Sequence, residues 1–319
     1  MHEFELIRKY FSKLSKKNLS SLNLNDDVFF DKKKNLVIST DTYNQNVHFI
    51  DFKKPDLVIK KIIRSSISDL ICKGVLPKYY FISASGNKKY FSSSNLRKIF
   101  NSLNQEQKKY KIMLCGGDTV NSKTLSFTIT SIGFSKKIVL RNKVKLNDDI
   151  YITGNLGDSY IGLKILTNKI KIPNGLKKYF IQKYFLPDLP FNLTSKLSLF
   201  ANSSIDISDG LITDLEKLIN SQKLSYKLKL KDIPISKNLK KLIDLMKLEK
   251  KKFISNGDDY QILFTANPSK SKIIKNFAKS TGTKITLIGK ICSPSQKSQI
   301  IDQKGNKITI KNTGYYHRF

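Results

Sequence analysis

The chain has 319 residues, enough for one large domain or two ordinary ones with a full hydrophobic core. Its 58 lysines and arginines against 25 acids give a formal charge of +33, but arginine occurs only at positions 8, 64, 97, 141 and 318. Base readout and bidentate phosphate grip favour arginine, so the scattered lysines read as solvated helix faces, and nucleic acid is disfavoured as a partner.

The start, residues 3–15, has Phe4, Ile7, Phe11 and Leu14 at helical spacing but no signal-peptide apolar core. A connector leads through "NDDVFF" to a strand, "NLVIST", at 35–40. The run from Pro55 to Lys73 repeats Ile59, Ile62, Ile63 and Leu70 three and four apart, with proline in the first turn and Gly74 as a stop, and predicts a long helix. Its Ser65, Ser66 and Ser68 would let a neighbour or ligand approach closely. "KYYFISAS" predicts a strand, 92–109 a polar helix, "YKIMLCGGD" a strand ending in a double glycine, and "TLSFTITSIGF" an alternating strand.

At "DDIYITGNLGDSYIGLKIL" the pattern restarts as strand, glycine loop and helix, which places a domain boundary near residue 146, between 1–145 and 146–319. "SSIDISDGLITDLEKLIN" then reads as strand into helix, followed by "YKLKLKDIPI", a lysine-rich helix at 236–251, and the strands "QILFTA", "KITLIGKI" and "NKITI". The fold class is α+β, with two mixed domains. Cys72, Cys115 and Cys292 lack paired spacing, and with His2, His48 and His317 they form no zinc signature. No run of about 18 apolar residues occurs, so a soluble protein of the reducing cytoplasm, without a membrane partner, is expected.

Aspartates recur at or beside the edges of apolar runs: Asp26, Asp27, Asp41, Asp118 and Asp209, with Asp69 inside the first long helix. Each has an ordinary explanation: an Asx-turn at Asp41, a tight turn at Asp118, a helix N-cap at Asp209. Together they suggest magnesium, which prefers oxygen ligands and substrate phosphates. Several ions are needed where two anions must meet, since a unit-charge pair at about 4 Å costs roughly 1 kcal/mol even in water. That describes phosphoryl transfer from a nucleotide to another phosphate. No Walker A sequence or protein-kinase catalytic loop occurs. "GNLGDS" at 154–159 could cradle phosphate, although a plain strand-to-helix turn is the simpler reading.

The ordered set "DD" (26–27), "ISTDTYNQNVHF" (38–49), "SDL" (68–70), "GGDT" (116–119), "LRNKVKLNDDIYITGNLGD" (140–158), "IDISDGLITDL" (205–215), "NGDDYQILFT" (256–265) and "GYYHRF" (314–319) resembles the thiamine-monophosphate kinases, within the aminoimidazole-ribonucleotide synthetase-like superfamily. The resemblance spans essentially the whole chain. It implies a homodimer whose N-terminal ATP- and metal-binding domains pair through their sheets, with the C-terminal domain closing over the site. The implied reaction is ATP plus thiamine monophosphate giving ADP and thiamine diphosphate by in-line transfer. Residue by residue, Asp27, Ser39, Thr40, Asp41, Asp69, Asp118, Asp209 and Asp214 match magnesium ligands. Tyr110, Gly117, Asp118 and Arg141 match ATP contacts, and His48, Asp258 and Tyr315 match substrate contacts. No general base is required, because a phosphate monoester with its second pKa near 6 is already largely a dianion.

The chain departs from the family's pattern in three places. "NLNDD" replaces a Gly-x-Gly before the paired acids, so the loop around Asn25 is expected to turn with asparagines; "NGDDYQ" puts the shorter Asp258 at the substrate-facing acid; and "GYYHRF" differs from the commoner ending. The competing readings are a superfamily relative acting on a different acceptor and, in another class, a lysine-rich RNA-binding protein on this fold.

Overall fold

The computed structural model describes residues 3–310 and 312–316. His2, the Phe4 side chain and residues 317–319 of the terminal motif lie outside the described residues. The N-terminal helical run is α1 (Glu3–Leu6) and α2 (Ser12–Ser15), joined by a π-helical turn over Ile7–Phe11.

Strands β1 (Phe29–Asp31), β2 (Leu36–Asn44), β3 (Pro77–Gly86), β4 (Met113–Asn121) and β5 (Ser126–Phe134) form one sheet in the order β1-β2-β5-β3-β4. Only the β3–β4 pair is parallel within it. β5 alternates as its sequence requires: Phe127, Ile129, Ser131 and Gly133 are buried, while Thr128 and Thr130 point the other way. Between these strands run α3 (Pro55–Cys72) and α4 (Ser93–Tyr110).

The second sheet collects β6 (Asp149–Thr153), β7 (Ser203–Asp206), β8 (Ser225–Lys229), β9 (Ile262–Ala266), β10 (Ile285–Cys292), β11 (Gln299–Ile301) and β12 (Lys307–Ile308), ordered β12-β11-β8-β10-β6-β9-β7. Its helices are α5 (Asp158–Leu166), α6 (Asn174–Phe185), α7 (Leu211–Ile219), α8 (Lys237–Met246) and α9 (Ser271–Thr281). The lysine-rich helix expected over 236–251 stops at Met246, because Lys247 turns left-handed. Sequence periodicity did not anticipate α6 or α9.

α3 positions everything else. Val58, Ile59, Ile62, Ile63, Ile67, Leu70 and Ile71 are buried, and so are its polar Lys61, Arg64, Ser65, Ser66 and Ser68. A helix buried nearly all round lies between layers. Ser66 meets Ser131 of β5 at 2.9 Å on one side, and Ser68 meets Asp206 of β7 at 2.7 Å on the other. The small serines expected to admit a close neighbour admit the two sheets. Arg64 braces α4 through a two-pronged pair with Glu106, Nε–Oε2 at 2.8 Å and Nη2–Oε1 at 3.0 Å.

Candidate active site

The paired acids sit in a loop held by cations. Lys73, the residue capping the C-terminus of α3, reaches Asp26 Oδ1 at 2.7 Å and Asp27 Oδ2 at 2.9 Å and donates to the Ser204 carbonyl at 2.9 Å. Burial by itself would lower the Lys73 pKa; the neighbouring acids, Asp26 foremost, outweigh it and hold the ammonium protonated. Arg141 donates its backbone N–H to Asp26 Oδ2 at 2.8 Å and its Nε to Asp27 Oδ2 at 3.0 Å, while its Nη2 grips Asp27 Oδ1. The preceding loop turns through Leu22, Asn23 and Leu24, all left-handed, whereas Asn25 is not. The expected asparagine turn is thus carried by Asn23 and two leucines rather than by Asn25.

Asp41 lies within β2, not at its end, because Thr42, Tyr43 and Asn44 keep pairing with β5. The Asx-turn reading of Asp41 is thereby excluded. Ser39 and Asp41 share the inward face, where Ser39 donates to Asp69 Oδ2 and the Tyr43 hydroxyl donates to Asp41 Oδ2 at 3.0 Å. Burial pushes Asp41 up to about 6. Asp69 is held well above the ordinary carboxylate range, by burial first and then by Asp41 and Asp206.

Asp206 escaped sequence reasoning, although it stands inside the "IDISDG" stretch that carries Asp209. It is 2 % exposed, accepts from Ser68, and is raised to about 6 chiefly by burial, with Asp214 adding to the rise. The ligating atoms of Asp27, Cys72 and Asp206 all lie within 4.8 Å of one another. The available signal was the position of Asp206 at the end of an apolar strand-like run, three residues before Asp209. Several carboxylates in one low-dielectric place cannot all ionise unless cations join them.

Asp209 does not cap α7; the N-cap is Gly210, without a side-chain cap bond. Asp214 instead turns back, accepting from the Asp209 N–H at 3.0 Å and the Gly210 N–H at 2.9 Å. Lys217 bridges the two acids, pairing with Asp209 Oδ2 and with Asp214 Oδ1 at 3.0 Å. Burial works against its charge, but Asp214 and Asp209 prevail and raise it. The tail closes over this corner: the Tyr315 N–H donates to the Asp209 carbonyl at 3.0 Å, and the Thr213 hydroxyl donates to the Thr313 carbonyl at 2.8 Å.

The substrate-side candidates connect to the acids through aromatic rings. Tyr43, bonded to Asp41, meets His48 edge-on at 5.6 Å between ring centroids, and His48 Nδ1 accepts the Asn44 N–H at 3.0 Å. The Tyr184 hydroxyl donates to the His48 carbonyl at 3.4 Å, and Lys61 lies 3.7 Å over the Tyr184 ring while pairing with Asp258 Oδ2 at 2.9 Å. Asp258 is left-handed and also accepts from the Tyr260 hydroxyl at 3.0 Å. Lys61, Tyr43 and Tyr184 were not anticipated.

Other candidates lie elsewhere. Thr40 bonds Thr130 at 3.0 Å on the outer face of the first sheet. Asp118 shares that face, in register with Ser83, itself opposite Thr128, and its Oδ1 accepts the Thr119 N–H at 2.8 Å. It is mid-strand and exposed, so it does not close a tight turn, and the double glycine lies within β4 rather than ending it. Gly117 has φ +154°, and a Cβ there would come 1.8 Å from the Ile82 carbonyl oxygen, which demands glycine. Tyr110 is buried, edge-on to Phe191 at 5.4 Å, and lines a cavity of about 340 Å³ with Lys109, Asp188 and Gln261. At the "GNLGDS" helix start, both Asp259 carboxylate oxygens accept the Gly157 N–H at 3.0 Å, so this N–H is met from within the chain. That contact agrees with the plain strand-to-helix turn.

Residues 25–135 match the family described as AIR synthase related protein, N-terminal domain. The thiamine-monophosphate kinases of two Buchnera aphidicola lineages are 35% identical to this chain (the Schizaphis graminum strain) and 33% identical (the Acyrthosiphon pisum strain), each over 99% of this chain and 98% of the relative. The chain belongs to the thiamine-monophosphate kinase family. A solved structure of AaThiL complexed with AMPPCP and TMP superposes with a TM-score of 0.84 at 26% identity, covering 99% of this chain and 97% of that one. The fold is therefore the AIR synthase-like fold of these kinases, as the ordered motifs implied. The described helices include none long and apolar enough to cross a membrane.

Proposed function

We propose that this protein transfers the γ-phosphoryl group of ATP to the phosphate of thiamine monophosphate, giving ADP and thiamine diphosphate. Family membership along the full chain sets the reaction class, and the observation that carries it to a site is the joining of Ser39, Asp41, Asp69 and Asp206 around the C-terminal half of α3. These hard oxygen donors, with carboxyl groups raised by burial and mutual repulsion, fit magnesium. Asp27 would join them through Oδ1 on release by Arg141, and Asp209 and Asp214 by exchanging Lys217 for metal. Bound magnesium would neutralise charge between the two phosphates.

The chain's own residues supply positioning. Arg141 can pass from Asp27 to a nucleotide phosphate, whose oxygens match the same planar fork. Tyr110 and Gly117 are assigned to ATP by the family resemblance. His48, Asp258 and Tyr315 would face thiamine monophosphate, with Lys61 holding Asp258. The acceptor needs no general base, since its phosphate is largely dianionic at neutral pH.

Thr40 and Asp118 reach this chemistry if two chains pair through the outer face of the first sheet. That face and its edge leave Phe81, Met113, Leu114, Val120 and Phe134 exposed, which supports a homodimer. In this reading residues 1–145 bind metal and ATP and pair, while 146–319 close over the site. A reducing cytoplasm suits the free thiols of Cys72, Cys115 and Cys292.

The test is a chromatographic assay for thiamine diphosphate with ATP, magnesium and thiamine monophosphate, against a metal-free control. Metal-dependent product with equal ADP supports the reading. A folded, ATP-binding protein that makes none points to another acceptor, with "NGDDYQ" the segment to examine.

A further inference from the structure

Lys73 has no part in the scheme above, yet it lies at the centre of the acids. It is 0 % exposed, and three oxygens from two distant places in the chain, Asp26 Oδ1 and Asp27 Oδ2 in one loop and the Ser204 carbonyl, converge on its ammonium at 2.7, 2.9 and 2.9 Å. An ammonium has three protons to donate, so each oxygen is met. The position also follows the last turn of an 18-residue helix, whose carbonyl end favours a positive charge. Asp206 and Cys72 complete the surroundings. A compact point charge ringed by hard oxygens is the arrangement a divalent ion adopts, except that this cation is covalently attached.

We propose that Lys73 is a built-in cation that stands in for one divalent metal ion at the Asp26–Asp27–Asp206 corner. It keeps Asp27 Oδ2 out of metal coordination and directs recruited ions toward Ser39, Asp41 and Asp69. The inference rests on the metal-dependent reading above and concerns how many ions this chain needs. A fixed positive charge repels a second cation placed beside it, and a buried pair is poorly screened. Lys73 also lets the paired acids be buried before any metal arrives, so it acts as a positioning residue.

The experiment counts manganese ions on the full chain by electron paramagnetic resonance of the unbound ion, without nucleotide or substrate, in wild type and Lys73→Met. Methionine keeps the length and removes the charge. One further ion per chain, or binding tighter by on the order of tenfold, with magnesium restoring the variant's lost melting temperature, supports the proposal. Unchanged stoichiometry and affinity in a variant that is merely less stable overturns it while leaving the kinase reading intact. A wild type that binds no manganese also overturns the proposal, while the thiamine diphosphate assay decides the kinase reading separately. Should the variant not fold, wild-type crystals soaked in manganese decide. An anomalous peak bonded to Asp27 Oδ2, with the Lys73 ammonium displaced, refutes the proposal; ions confined to Ser39, Asp41 and Asp69 sustain it.

Discussion

The Ser68 hydroxyl, on the central helix, donates to the buried carboxylate of Asp206, on the edge strand of the second sheet, at 2.7 Å. One turn of α3 thereby presents Ser68 to the second sheet and Asp69 to the first, so the site is assembled across both. Replacing Ser68 with alanine leaves Asp206 without this donor and costs about 1–3 kcal/mol of stability. Urea unfolding of the metal-free variant checks this; a loss near zero would mean that Asp206 finds another partner.

Asp41→Asn should cut phosphoryl transfer by a factor of about 10³ or more, on the scale of losing a principal charge-stabilising group. Its effect on folding should be small or favourable, because the wild-type carboxyl is already strained by burial. Turnover and melting temperature measured on the same preparation separate the two. Wild-type turnover would refute the metal cluster.

Asp41 and Asp206 make the metal-free protein less stable as pH rises. Both have folded pKa values near 6 against 3.8 for the unfolded group, so the folded state retains protons that the unfolded chain releases between about pH 4 and 6. The destabilisation is absent below the lower value, grows through the window and is complete above the upper one, on the order of 2–3 kcal/mol for each group. Magnesium should therefore stabilise strongly at pH 7 and little near pH 4.5. Thermal melts in chelator and in magnesium across this range provide the check, and a magnesium effect independent of pH would contradict it.

Asp258→Ala removes the carboxylate that pairs with Lys61, an otherwise buried cation. Breaking a buried pair costs about 3–5 kcal/mol, but Asp258 is partly solvated and Lys61 keeps the Tyr184 ring and carbonyl, so about 1–3 kcal/mol is expected. The Michaelis constant for thiamine monophosphate should rise several-fold with that for ATP unchanged. Parallel changes in both constants would indicate a general loss of structure instead.

Ile62 is 1 % exposed in the middle of α3, and Ile62→Ala should cost about 2–5 kcal/mol. A smaller loss in denaturant unfolding would show that the surrounding layers collapse onto the gap.

Local periodicity made much of this protein legible in advance. The run from Pro55, with apolar residues three and four apart and Gly74 beyond, determined α3 to within a residue, and the alternation of 124–134 located β5 to within two residues. The motif order also implied the fold. What periodicity could not tell was where Asp41 and Asp118 fall within their strands, because turn-like residues beside an apolar run give no sign that cross-strand pairing continues past them. Nor could it show that these two acids face opposite sides of one sheet, or that Lys73 is buried and Lys217 turned onto two acids rather than both solvating the surface. Those outcomes depend on pairings between distant parts of the chain, Lys73 with Asp26 and Ser204, Ser68 with Asp206, Lys61 with Asp258. Sequence spacing determines which side chains share a face of one helix or strand. Only tertiary packing decides which charge that face meets, and in a low-dielectric interior the meeting of charges sets the chemistry of the site.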